Sequence, residues 1–137
     1  MARSVTAGQP ALTFAGSYDA TAAKQMQDVV CQGVFVVLSG TADPIPFPGN
    51  VVLNAGSADS CTLATPVAGQ QPAGDDGKTL FVVDNSGKAH TITTASNIIS
   101  PSHHIATFNG TVGSCIELRA WNGLWYPTGT PLGVALS

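Results

Sequence analysis

The sequence predicts an all-β domain: a single compact antiparallel β-sandwich or small barrel, of jelly-roll or tulip-like type, with an irregular N-terminal arm. Three observations carry this. Turn-forming residues punctuate the chain roughly every 8 to 12 residues, the spacing of short strands in sandwiches and barrels. Between them stand short runs rich in Val, Ile, Thr, Phe and Trp, residues that fit a pleated, half-buried surface. After residue 33 no apolar pattern of helical period and ordinary length appears. The chain has 137 residues, one domain's worth. It divides into an extended arm, residues 1–18, and a single β domain, residues 19–137.

Pro10 and the small polar residues around it break any period over residues 1–18, so this stretch is expected to be an arm. Asp19–Gln32 is the one stretch with helical character: Ala22, Ala23, Met26, Val29 and Val30 roughly share a face. Its Val-Val pair fits equally well a loop leading into a strand over Gly33–Gly40. Pro44, Pro46 and Pro48 follow at every second position, and a residue without an N–H cannot serve a central strand. That segment is expected to run extended at the surface, where it blunts a sheet edge. Short strands are then expected in "NVVLNAG" and "SCTLATP", with a Gly/Pro/Asp loop after Pro66. "KTLFVVDNSGKAHTITTA" reads as a hairpin turning at Asp84–Gly87, with His90, Ile92 and Thr94 on one side of its second strand. "NIISPSHH" reads as a loop, "IATFNG" as a strand, and Gly133–Leu136 as the last strand.

The sharpest local signal is Asn122-Gly123, because both residues tolerate the positive φ that a type I′ hairpin turn requires. A turn there pairs Trp121 with Leu124, Ala120 with Trp125, Arg119 with Tyr126 and Leu118 with Pro127. Alternation then places Ile116, Leu118, Ala120 and Trp125 on one uniformly apolar face, the core face. Glu117, Arg119, Trp121, Leu124 and Tyr126 fall on the other. Arg119 beside Tyr126 is expected to make a cation–π pair, and Trp121 is the candidate for an exposed contact residue.

Charged residues make up only 9% of the chain, against roughly 25% in ordinary soluble domains. A surface so poor in charge points to one covered by copies of itself or by a partner. Net charge is −3 and no basic stripe exists, so nucleic-acid binding lacks its electrostatic footprint. No apolar run approaches the roughly 20 residues that span a bilayer, and no secretory h-region opens the sequence, so cytoplasmic synthesis is expected. Cys31, Cys61 and Cys115 are odd in number and widely spaced, and all three are expected as buried hydrophobes.

Signals for chemistry are weak. His103 and His104 are adjacent, so in an extended segment they point opposite ways and chelate poorly; no metal site and no cofactor are expected. His90 reads as a hydrogen-bonded strand histidine. No GxSxG elbow is present. "GDDGK", Gly74–Lys78, lacks phosphate-loop and EF-hand spacing and reads as a turn entering a strand. Glu117 is the sole glutamate, so a paired-carboxylate site has little to draw on. No catalytic residue is assigned and an enzyme is not expected.

The order of segments carries a resemblance. "FPGNVVLNAGSADSCTLATPVAGQQPAGDDGKTLFVVDNSGKAHTITT", then "HIATFNGTVGSCIELRAWNGLWYPTG" and a terminal "VALS", resembles small all-β virion proteins of tailed bacteriophages, of the head decoration or cement type. It spans roughly residues 47–137, and its shared motifs are turns and strands rather than a catalytic signature. It implies a protein that binds outside the mature head as a homotrimer, contacts the major capsid protein and stabilises the shell, located on the capsid exterior. The arm, with Val5, Pro10, Leu12, Phe14 and Tyr18, would clamp the capsid or a neighbour. Pro46, Phe47, Trp121, Leu124 and Tyr126 are the further interface candidates; Ile116, Leu118 and Trp125 are core. Similar hairpins occur in tail-fibre and baseplate modules, which leaves a receptor-binding module recognising a host-surface glycan as the alternative.

Overall fold

Apolar runs bounded by Gly, Pro, Asn and Asp fold as strands throughout the part of the chain described by the structure, a computed structural model covering residues 34–137. The arm and the helical stretch Asp19–Gln32 lie outside the described residues. In chain order the strands are β1 (Phe35–Leu38), β2 (Gly49–Leu53), β3 (Ser60–Thr62), β4 (Thr79–Asp84), β5 (Thr91–Thr93), β6 (Ile105–Phe108), β7 (Cys115–Trp121), β8 (Leu124–Pro127) and β9 (Val134–Leu136). No helix occurs among the described residues.

Two sheets form, one of five strands in the order β1-β2-β4-β7-β8 and one of four in the order β9-β6-β5-β3. Their inward side chains meet in one core. Val51, Leu53, Leu80, Val82, Ile116, Leu118, Ala120 and Trp125 come from the first sheet, and Cys61, Ile92, Ala106 and Phe108 from the second. Two open sheets sharing a core make a sandwich, not a barrel.

The all-β expectation holds, but the sheets are mixed rather than antiparallel. β1 pairs with β2, β2 with β4, and β3 with β5 in parallel. For the last two pairs the cause is that the chain alternates between sheets. β2, β3, β4 and β5 belong in turn to the first, second, first and second sheet. Strands two apart in sequence therefore become neighbours running the same way. This also corrects the hairpin expected over residues 78–95: β4 and β5 lie in different sheets, and the turn between them is an arch. Asp84 closes that arch. Its Oδ1 accepts from the Ser86 and Gly87 amides at 2.8 and 3.1 Å, a carboxylate-capped turn that swings the chain across the core.

The alternating prolines act as expected. Ile45 donates to the Thr62 carbonyl and Thr62 to the Asp43 carbonyl, at 2.8 and 3.0 Å, while Pro44 sits between them where no donor is needed. Residues 43–45 thus cover the edge of β3. Ile98–Ser100 does the same for β8: Trp125 donates to the Ile98 carbonyl at 2.7 Å and Ser100 to the Trp125 carbonyl at 2.8 Å.

The β7–β8 hairpin has the register read from the sequence, with Leu118, Arg119, Ala120 and Trp121 opposite Pro127, Tyr126, Trp125 and Leu124. Asn122 and Gly123 carry φ of 49° and 79°, the type I′ geometry. Ile116, Leu118, Ala120 and Trp125 are all buried.

Candidate functional site: the outer face of the five-stranded sheet

A sheet with one face in the core ordinarily turns polar residues to water on the other. Here the outward residues are apolar over half the sheet. The registers align Val37, Val52, Val83 and Cys115 across four strands in one row, with Phe35, Asn50, Phe81 and Glu117 in the next. Phe35 is 45% exposed and Val37 56%; Val52, Phe81, Val83 and Cys115 are part-exposed. Phe35 and Phe81 meet edge to face at 6.3 Å between centroids. β1 also leaves its inward Val36 45% exposed, so this strand overhangs the core. A third row holds Thr79, Arg119 and Tyr126, and Trp121 stands at the corner, 56% exposed.

Sequence reasoning reached only the β7–β8 part of this face. Val37, Val52, Phe81 and Val83 were missed, although a signal existed. "FVVL" and "LFVV" are unbroken apolar runs, and a strand without polar alternation has two apolar faces.

The other candidates distribute as follows. Pro46 is exposed. Phe47 is part-buried, with its ring edge-on to Trp125 at 4.9 Å, and Leu124 packs against the core as well. Alternation put Leu124 on the outer face; at the hairpin tip it reaches the rim of the core instead. Tyr126 is part-exposed. The cation–π pair expected between Arg119 and Tyr126 does not form: among the described residues that contact is made by Lys78, 5.9 Å above Phe47. Trp125 is fully buried and its Nε1 donates to the Ala64 carbonyl at 3.1 Å. Val5, Pro10, Leu12, Phe14 and Tyr18 lie outside the described residues, as does Cys31. Cys61 is buried, whereas Cys115 is only part-buried on the outer face.

Two polar clusters lie elsewhere in the domain, and both are committed to holding turns and strand entries. Ser86, His90 and Asp84 lie together at the arch, with His90 and Asp84 fully buried. The Asp59 amide donates to His90 Nδ1 at 3.0 Å, so that nitrogen carries no proton. Nε2 is then the protonated nitrogen and donates to Ser86 Oγ at 2.6 Å, while the Ser86 hydroxyl donates to Asp84 Oδ1 at 3.0 Å. An activated serine needs the reverse, a bare imidazole nitrogen facing its hydroxyl. The cluster instead clasps the entries of β3 and β5, and the Asp59 carbonyl completes it by accepting from Thr91 N–H at 2.9 Å. Cys61 joins through its thiol, which donates to Asp59 Oδ2 at 3.2 Å. Burial first, then the Asp59 carboxylate, pushes the Cys61 pKa up to about 12, which removes the reactive thiolate at neutral pH.

The Gly74–Lys78 corner is equally committed. Asp75 accepts from Lys78 Nζ at 2.7 Å and from the Val67 amide at 2.6 Å. The Lys78 ammonium, then the Val67 N–H, hold its carboxyl below the ordinary carboxylate range. Asp76 accepts from the Asn122 amide at 2.7 Å, tying this corner to the hairpin tip. No group of three or more His, Cys, Asp or Glu side chains suited to a metal ion occurs among the described residues. Nor is any helix among them long and apolar enough to cross a membrane.

No family model matches the chain, and no curated protein matches it.

Proposed function

We propose that this chain is a structural protein of a bacteriophage particle: a cement protein that binds the exterior of the mature head and, as a homotrimer, stabilises the shell against disruption. The observation that carries the reading is the apolar outer face of the five-stranded sheet, a surface suited to being covered by protein rather than water. A charge content of 9% agrees with it. The mechanism is mass action. A protein that binds the intact lattice and not the disrupted one shifts the equilibrium toward the shell, and many copies acting together need only modest affinity each. No catalytic step is part of the proposal.

The test is the copy number of the chain in purified virions, measured by quantitative mass spectrometry against the major capsid protein. A ratio near one supports the reading. A handful of copies per particle moves the protein to the tail. There the exposed Trp121, with Tyr126 near it, would favour the second reading, a receptor-binding module that stacks a host-surface glycan. Absence from virions overturns both.

A further inference from the structure

We propose that Asn122 is a site of spontaneous covalent modification: its side-chain amide is lost through attack by the Gly123 backbone nitrogen, and the hairpin tip converts to aspartate and isoaspartate. The other Asn-Gly pair of the chain, Asn109-Gly110, is held against the same reaction. The inference does not rest on the cement reading. Water is the only co-reactant. The Gly123 nitrogen gives up its proton and attacks Asn122 Cγ. The N–Cγ bond forms, the Cγ–Nδ2 bond breaks, and the amide leaves with that proton as ammonia, closing a succinimide ring. Water then opens the ring. Attack at the side-chain carbonyl leaves aspartate; attack at the main-chain carbonyl leaves isoaspartate, with the chain running through Cγ. A glycine on the attacking side favours the step, because no Cβ crowds its nitrogen.

The fold treats the two Asn-Gly pairs differently. Asn122 is exposed at the hairpin tip, and among the described residues its side-chain amide makes no hydrogen bond. The Gly123 N–H makes none there either, so both reacting groups are free. Asn109 is exposed as well, yet its Oδ1 accepts from the Thr111 amide at 3.0 Å and from Ser114 Oγ at 2.8 Å. Its side chain also lies close against Gly133, where an added Cβ would stand 3.0 Å from Asn109 Nδ2. Asn109 Cγ cannot swing toward the Gly110 nitrogen without breaking both bonds. At Asn122 one brake acts on the backbone. Its N–H donates to Asp76 Oδ1 at 2.7 Å, and Asp76 is itself tied down, its N–H donating to the Gly69 carbonyl at 3.0 Å. The turn must rotate before the Gly123 nitrogen can reach Cγ, and this bond resists the rotation. Asp76 is therefore a positioning residue that slows the reaction.

The products alter the corner of the domain. Either one sets a new carboxylate beside Asp76, where like charges repel. Isoaspartate also lengthens the backbone inside a tight type I′ turn, whose positive φ values of 49° and 79° set the pairing of Trp121 with Leu124. The modification therefore loosens the support of the exposed Trp121 and leaves the buried Trp125 in place.

The experiment ages the folded full chain in mildly alkaline buffer and follows the peptides carrying Asn122 and Asn109 by mass spectrometry after proteolysis. Asn122 is expected to convert on the order of tenfold or more faster than Asn109, because a pinned site reacts only from its opened state. In denaturant the two pairs should convert at similar rates, which places the difference in the fold. An isoaspartate methyltransferase should label the aged hairpin peptide. Asp76→Ala, with its strand signal checked by circular dichroism, should speed conversion at Asn122 on the order of tenfold, the factor carried by one hydrogen bond to a charged group, and leave Asn109 as it was. Equal rates at the two sites in the folded chain, faster conversion at Asn109, or an Asn122 that stays intact while the denatured chain converts would overturn the assignment. An Asp76→Ala variant that converts at the wild-type rate would overturn the role given to Asp76.

Discussion

Truncating Trp125 to alanine tests whether the two tryptophans have the separate roles described above. Trp125 is fully buried, and its ring packs edge-on against Phe47 at 4.9 Å. Truncating a buried aromatic to alanine costs about 3–5 kcal/mol, because the surrounding core relaxes only partly into the cavity. The lost bond to Ala64 adds little, since Ala64 is exposed and its carbonyl can turn to water. The expected loss is therefore about 4 kcal/mol, a large share of the roughly 5–15 kcal/mol that holds a domain together. With a urea dependence of about 1–3 kcal/mol per molar, the unfolding midpoint falls by about 2 M. Trp121→Ala, on the exposed corner, should stay within about 0.5 kcal/mol of wild type. Urea titrations followed by circular dichroism measure both. Equal destabilisation would mean that the two faces of the hairpin are not as assigned. Trp125→Phe keeps part of the ring packing while removing the indole N–H and should cost less than the alanine change.

Four further outcomes are expected. Gly74→Ala should destabilise strongly, since a Cβ there would collide with the Gly69 carbonyl oxygen; tolerance in thermal melts would mean that the close approach of Gly74 to Gly69 is absent. His90→Phe should cost about 1–3 kcal/mol, because the buried Asp59 amide loses its acceptor, whereas His90→Asn, if it can reach that amide, should recover part; equal loss in both denaturation curves would place the cost in volume alone. The raised Cys61 pKa is a folded-state value above the unfolded one, so its contribution is present below about pH 8.5 and fades as pH rises toward the folded value of about 12. Cys61→Ala should flatten that alkaline decline in stability, and native protein should label Cys61 with thiol reagents far more slowly than unfolded protein does. Asp75 has the opposite sign. Its lowered pKa adds stability above the ordinary carboxylate range that is lost on acidification, and Lys78→Gln should raise the Asp75 midpoint seen by NMR. The arm adds a fifth, which rests on the cement proposal: if the chain binds heads, deleting residues 2–18 should weaken that binding in a pelleting assay while the strand signal of the β domain persists.

The β7–β8 hairpin was legible residue by residue because one dipeptide fixes its turn, and the turn fixes the register. The arch was not. Asp84–Gly87 uses the same turn vocabulary as a hairpin, and a turn residue reports that the chain reverses, not which sheet it enters. The clue lay one step back, in the alternation of β4. Leu80, Val82 and Asp84 point inward together, and a carboxylate on a core-facing position calls for buried partners that a hairpin tip would not supply. Of the candidate surface, Trp121 was readable from its place beside the turn. The unbroken apolar runs of β1 and β4 marked two-faced strands, but the rows were not legible, because β1, β2 and β4 are brought into line by parallel pairing between strands that no hairpin turn joins.

The alternation of strands between sheets has a mechanical meaning. The five-stranded sheet draws on β1, β2, β4, β7 and β8, and every gap in that series is filled by strands of the other sheet. No contiguous fragment of the chain contains one whole sheet without strands of the other, so neither can be peeled off by itself as a single piece of chain. The slowest-exchanging amides of β4 and β5, in opposite sheets, should therefore open in a single event. A domain laced in this way holds its shape under load until it fails as a unit.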